Sequence, residues 1–176
     1  MYCLLKNNSW LKKVQLPAIY TIFCLAFTPF AYSQVNPTPA AERMQSMEQR
    51  RKLESNSLLK EVPFRNIGPS IMSGRVVDID ANPDDPTEFY VAYATGGLWH
   101  TTNNGQSFTP IMDSLDMLFI GDIAVNWATK TIWLGSGEVN SSRSSYAGVG
   151  MYKSMNNGKT WEYLGLPESH HIGKIQ

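Results

Sequence analysis

Two stretches of this chain, 53 residues apart, follow one pattern: Thr101-Thr102-Asn103-Asn104-Gly105-Gln106-Ser107-Phe108 and Ser154-Met155-Asn156-Asn157-Gly158-Lys159-Thr160-Trp161. Each position has a physical task. Thr101 and Ser154 open the pattern, and Asn103 and Asn156 can bond their side chains to backbone across the turn. Gly105 and Gly158 can take the positive φ that closes it. Ser107 and Thr160 can cap the loop, and Phe108 and Trp161 supply large anchors to bury between sheets. A hairpin written twice marks a repeat protein, in which each unit buries its apolar surface against the next.

The surrounding sequence has the same grain. From Val62 onward, β-branched and aromatic runs alternate with Gly, Asn, Asp and Pro clusters, the pattern of an all-β chain. Strands are expected at about 75–80, 89–94, 98–102 and 106–111, then at about 120–125, 131–135, 150–154 and 159–164. "SGRVVDI" (Ser73 to Ile79) parallels "IGDIAV" (Ile120 to Val125), and "IGKIQ" (Ile172 to Gln176) starts the pattern again. This spaces Gly74, Gly121 and Gly173 by 47 and 52 residues. Four strands per roughly 50 residues is the unit of a β-propeller blade. The expected architecture is therefore all-β. Blade 1 spans about 73–112 and blade 2 about 119–165, with the first strand of a third from about 171. Closure takes at least four blades. The chain thus reads as the N-terminal portion of a longer protein whose remaining blades follow in the same chain.

Residues 1–33 read as a secretory signal peptide: Lys6, Lys12 and Lys13, then an apolar stretch from Leu16, then Ala31-Tyr32-Ser33 with cleavage after Ser33. Secretion or display at the cell surface or in a periplasm follows, with no membrane attachment once the leader is gone. Both cysteines, Cys3 and Cys24, leave with it, which excludes a disulfide framework and thiol chemistry. The remaining 143 residues carry 12 basic and 15 acidic side chains, a net −3 without the basic stripe that nucleic acid requires. Residues 34–61 are a Pro-rich linker followed by "AERMQSMEQRRKLESNSLLKE". That segment is expected to form a short helix on the outside of the sheets, with Met44, Met47, Leu53 and Leu58 as its apolar stripe.

The hairpin pattern resembles the Asp-box, or BNR repeat, with Asn in place of the usual Asp in both copies. Together with "FRNIGP", "SGRVVDI", "GGLWHTTNNGQSF" and "GSGEVNSSRSSYAGVGMYKSMNNGKTW", it is similar to the start of large secreted bacterial proteins with a sortilin-like N-terminal propeller, related to xyloglucanase-type glycosidases. The likeness covers roughly residues 62 to 176 and speaks to fold more than to activity. In the xyloglucanase-type family a first-blade Asp is catalytic. The resemblance places Ala94 of "YVAYATGGLWH" at that position, and glycoside hydrolysis needs two carboxylates. A sialidase would clamp a substrate carboxylate with an Arg in a Phe-Arg-Ile-Pro stretch. "FRNIGP" places Arg65 there, with Asn66 and Gly68 as insertions, and a surface or capping arginine is the alternative.

The polar loop "GSGEVNSSR" is the most site-like segment. Glu138, Asn140 and Arg143 could bind a sugar or peptide, or Glu138 and Arg143 could form a structural ion pair. Arg75 could point toward the ring axis or pair with Asp122. Trp99, Trp127 and Trp133 could stack on sugars or pack between sheets. "DIDANPDDP" starts like a calcium loop, but Pro83 and Phe89 stand where Gly and Glu are needed. His170-His171 lack neighbouring ligands in the sequence. No metal site, cofactor or catalytic residue is therefore assigned. The expected function is a module that binds a protein or glycan ligand. The alternative is a glycoside hydrolase whose catalytic residues lie in further blades.

Overall fold

The computed structural model describes residues 36–63, 74–139 and 145–176. The expected leader at 1–33, Arg65, Ser73, Asn140 and Arg143 lie outside them. The chain divides into two units, Met1–Pro37 and Thr38–Gln176, and the architecture below is that of the second. Its described residues are mostly β: one helix and two four-stranded antiparallel sheets.

Helix α1 (Ala40–Ser55) is built from strong helix formers. Its apolar contact is shorter than the sequence suggests. Ala40 and Met47 are buried and Met44 packs beside them, whereas Leu53, in the helix's last turn, is 75% exposed and Leu58, beyond its end at Ser55, is 98% exposed. Arginines fix it instead. Arg50 donates to the Asp116 carbonyl at 2.9 Å, Arg51 pairs with the Asp116 carboxylate at 2.6 Å, and Arg43 donates to the Pro167 carbonyl at 2.5 Å.

The first sheet has the order β1 (Val76–Ala81), β2 (Phe89–Tyr93), β3 (Gly97–Thr101) and β4 (Thr109–Pro110). The second has the order β5 (Ile120–Asn126), β6 (Thr131–Ser136), β7 (Met151–Ser154) and β8 (Glu162–Gly165). β4 and β8 start later than the composition implies, because the residues before them are held in the hairpin turns. β4 is also cut short at Pro110, which has no N–H for a ladder. Ile172 to Gln176 forms no strand; it is tied to the second sheet through Ile175 N–H, which donates to Asp122 Oδ2 at 2.6 Å.

The ladders correct the repeat register. Tyr90 faces His100 and Trp133 faces Lys153, so β6 follows β2 by 43 residues while β7 follows β3 by 53. Asp78 faces Ala92 and Asp122 faces Gly135, each beside a bulge. Asp78 therefore corresponds to Asp122, and Gly121 to Val77 rather than to Gly74. The ten-residue difference lies in the β6–β7 connection, Gly137 to Val149, where the first sheet has only Ala94 to Gly96.

The two sheets meet along a seam with β1 beside β5. Asp78 Oδ2 accepts Ile123 N–H at 3.4 Å, and Asp80 accepts Val125 N–H at 2.9 Å and Trp127 Nε1–H at 2.7 Å. Tyr90, Leu98 and Met112 from one side meet Ile123, Ile132, Leu134 and Tyr152 from the other in one buried cluster, joined by Met47. Asp122 and Ile175 repeat the Asp78–Ile123 contact one unit later. Trp161 reaches back across the seam to donate Nε1–H to the Ile111 carbonyl at 2.9 Å. Trp161→Phe keeps most of the apolar contact but removes that donor. It should cost about 1 kcal/mol, read as a lower urea midpoint with an unchanged slope.

Candidate functional site

The two hairpins are internally braced in the same way. In the first, Thr101 Oγ1 accepts Gly105 N–H at 3.0 Å, while Asn103 Oδ1 accepts Ser107 N–H at 3.0 Å and Asn103 Nδ2 donates to Ser107 Oγ at 2.9 Å. In the second, the bonds from Gly158 N–H to Ser154 Oγ, Thr160 N–H to Asn156 Oδ1 and Asn156 Nδ2 to Thr160 Oγ1 measure 2.9, 2.9 and 2.8 Å. The amide nitrogen of Asn donates to the hydroxyl, a bond that an Asp carboxylate could make only as acceptor. These side chains are spent on the turn. The aromatic anchors diverge: Phe108 meets Phe89 of its own sheet edge to face at 6.0 Å, and Trp161 crosses the seam.

The opposite end of the strands brings two candidates together. Arg75, just before β1, forms an ion pair with Glu138, which follows β6 in the inserted connection. The Glu138 side chain is 0% exposed and that of Arg75 is 39% exposed. Glu138 Oε2 accepts no hydrogen bond among the described residues. Arg75 therefore does not pair with Asp122. That carboxylate instead meets Lys174 Nζ at 3.4 Å, and burial, joined by the neighbouring Asp78 charge, pushes its pKa up.

Backbone bonds hold the pair in place. The Arg75 carbonyl accepts Ala94 N–H at 2.9 Å, and the Ala94 carbonyl accepts Ile120 N–H at 3.2 Å. Ala94, buried and without a carboxylate, thus staples the sheets through its main chain. Within the second sheet's own connections, Gly137 N–H donates to the Phe119 carbonyl at 3.0 Å and Glu138 N–H to the Tyr146 carbonyl at 3.1 Å. The Phe119 and Tyr146 rings stack at 4.7 Å beside this strand. Neither aromatic stood out in the sequence, since both fall in irregular segments without a repeat partner.

Ser136 was also missed. Fully buried at the root of the inserted connection, its Oγ donates to the Gly150 carbonyl at 2.6 Å and accepts the amides of Val149 at 2.8 Å and Gly150 at 3.0 Å. Only the "GSGE" setting of a small hydroxyl between glycines hinted at such a knot. Ser136→Ala leaves two buried amide donors to find new partners, while the Gly150 carbonyl keeps Ser136 N–H. It should cost about 2 kcal/mol, with raised amide exchange at Val149 and Gly150.

The other aromatic candidates serve packing. Trp127 lies against Tyr90 at 5.1 Å and bonds Asp80, and Trp99 donates Nε1–H to the Gly96 carbonyl three residues before it at 2.8 Å. Trp133 has Lys153 Nζ 5.7 Å from its ring centre. Asp78 and Asp80 of the "DIDANPDDP" stretch accept amides of the second sheet, and no cluster of three metal-ligating side chains occurs among the described residues. No helix among them is long and apolar enough to cross a membrane.

Chemically, a guanidinium offers five N–H donors in a fixed fork. Glu138 meets one nitrogen of it, Nη2, from a sealed position, and the Arg75 side chain is 39% exposed. That arrangement suits recognition of hydrogen-bond acceptors. No protein-family model matches this chain, and no curated protein matches it.

Proposed function

We propose that this chain contributes two adjacent blades of an exported Asp-box propeller that acts as a binding module for a protein or glycan. Its ligand contact is the outward fork of Arg75. The propeller reading draws support from the seam: Asp78 takes the amide of Ile123, and Asp122 takes that of Ile175 in the same position. It is further supported by hairpins whose bracing agrees bond for bond. The single observation behind the binding reading is the pairing of a half-exposed arginine with a carboxylate that water cannot reach. A buried anchor that uses part of the fork preorganises the remainder, which reduces the ordering cost of binding.

Ala94, standing where the xyloglucanase-type resemblance would put a catalytic Asp, weighs against hydrolysis by that route. The test is a screen of the purified chain against arrays of peptides and of oligosaccharides. Selective capture that falls at least tenfold in Arg75→Lys, with an unchanged melting profile, supports the proposal, because Lys keeps the charge and loses the fork. Capture indifferent to Arg75→Lys would sink it, as would turnover of a captured glycan that disappears in Glu138→Gln.

A further inference from the structure

A second polar cluster lies at the other end of the seam, and the proposed function does not use it. Glu88, just before β2, is its hub. Glu88 Oε2 accepts from Lys130 Nζ at 2.7 Å and from Asn82 Nδ2 at 2.8 Å, and Oε1 lies 3.1 Å from His100 Nε2. The His100 ring stacks on Tyr90 at 4.5 Å, Tyr90 lies on Trp127 at 5.1 Å, and Lys130 Nζ is 4.7 Å from the centre of the Trp127 ring. The circuit Glu88–His100–Tyr90–Trp127–Lys130 is therefore closed. It crosses from the first sheet to the β5–β6 turn of the second. The Tyr90 hydroxyl extends it by donating to Asn157 Oδ1, in the second hairpin.

The repeat does not require this circuit. By the ladder register, Thr131 takes the place of Glu88, Trp133 that of Tyr90 and Lys153 that of His100. A cluster present at one seam and rewritten at the equivalent positions is a local device rather than a folding rule.

We infer that this circuit is an acid-released clasp: protonation of His100 loosens the hold of the first sheet on the β5–β6 turn and on the second hairpin. The reason is burial beside a cation already in place: the His100 side chain is 11% exposed, and Lys130 holds the other oxygen of Glu88. Neutral His100 shares Glu88 with Lys130 and keeps its face on Tyr90. A protonated ring would place a second cation on one carboxylate, in a nearly sealed site. The charged or titratable groups facing His100 are Glu88 and Tyr90 from the β2 segment, Lys130 from the β5–β6 turn and, behind Tyr90, Asp80 from β1.

Burial, with the Lys130 charge adding to it, lowers the His100 pKa, although Glu88 works the other way. For Glu88, burial acts to raise the pKa, and the hydrogen bonds from Lys130, Asn82 and His100 overcome it, so the net shift is downward. Both shifts are depressions. The clasp is thus complete above the ordinary histidine value of about 6.5 and weakens as pH falls through the lower value of the folded chain. Glu88 stays ionised throughout that window, which leaves His100 as the titrating member.

The test is NMR of the full chain between about pH 7.5 and pH 5, following the His100 ring and the amide exchange of residues 127–130 and 154–161. The expected result is a His100 midpoint below about 6.5. Exchange at those amides, corrected for its intrinsic pH dependence, should rise by roughly an order of magnitude over the same range. His100→Gln, which retains a donor toward Glu88, should abolish the rise. Lys130→Met, which removes the competing cation, should move the midpoint up. Persistence of the rise in His100→Gln, flat exchange in the parent chain, a midpoint at or above the ordinary value, or a downward move in Lys130→Met would each overturn the inference.

Discussion

Arg75→Met destabilises the second unit by about 3 kcal/mol, whereas Glu138→Gln costs under about 1 kcal/mol, although the two variants break the same ion pair. The asymmetry follows from burial. Removing Arg75 strips the counter-ion from a carboxylate that is 0% exposed, and breaking a buried pair this way costs about 3–5 kcal/mol. The lower end applies because Arg75 is itself 39% exposed and partly screened by water. Removing the Glu138 charge leaves an arginine that can hydrate. Arg75→Met combined with Glu138→Gln should recover most of the lost stability, since no charge then remains buried. In urea, the single Arg75 variant should shift the midpoint by roughly 1.5 M at a slope of about 2 kcal/mol per M. Equal, small shifts for both single variants would show that water reaches Glu138 in solution.

The hairpins and strands were legible because their signals are local. Asn-x-Gly between two hydroxyls specifies a turn whatever surrounds it, and alternation of Val, Ile and Tyr specifies a half-buried strand. The register between repeats was not legible. Gly74 and Gly121 look equivalent along the chain, but equivalence is set by which residues share ladder bonds. Those bonds match Asp78 to Asp122, ahead of the insertion in the β6–β7 connection that sets the hairpins 53 residues apart. One-dimensional spacing cannot locate an insertion when the flanking copies differ at most positions.

The candidate site was legible in parts only. Glu138 and Arg75 drew notice separately, one as part of a polar loop and the other as a residue that could face the ring axis. Nothing along the chain says that residues 63 positions apart meet. Sequence also offered a nearer partner for each: Arg143 for Glu138 and Asp122 for Arg75. Depth decided the outcome for Arg75. Asp122 lies where Lys174 and the Ile175 amide occupy it, and Glu138 is carried to Arg75 by the Ala94 and Gly137 backbone bonds. The helix stripe failed for a similar reason: Leu53 and Leu58 are apolar, but no sheet surface lies under them.

Gly158→Ala should cost about 3 kcal/mol, and Gly105→Ala about 1–2 kcal/mol, even though both glycines occupy the same place in the same motif. Their backbones agree, at φ 80° and 77°, so each substitution carries the cost of placing Cβ in the left-handed region, about 1–2 kcal/mol. Their surroundings differ. A Cβ on Gly105 would meet only ring atoms of Phe108 and Phe89 at 3.5–3.6 Å, an ordinary contact. A Cβ on Gly158 would come within 2.6 Å of Ile111 Cδ1 and 2.9 Å of its Cβ, and relieving that overlap adds roughly 1–3 kcal/mol. The clash falls where Trp161 bonds the Ile111 carbonyl, so the lesion should be confined to the seam. Gly158→Ala combined with Ile111→Ala clears the 2.6 Å overlap with Cδ1 but keeps the 2.9 Å approach to the Ile111 Cβ, so it should relieve only part of the added cost. Equal costs for the two single glycine variants, measured by urea unfolding, would mean that the second hairpin does not press on the first sheet. The seam would then rest on its aspartate–amide bonds and its apolar cluster alone.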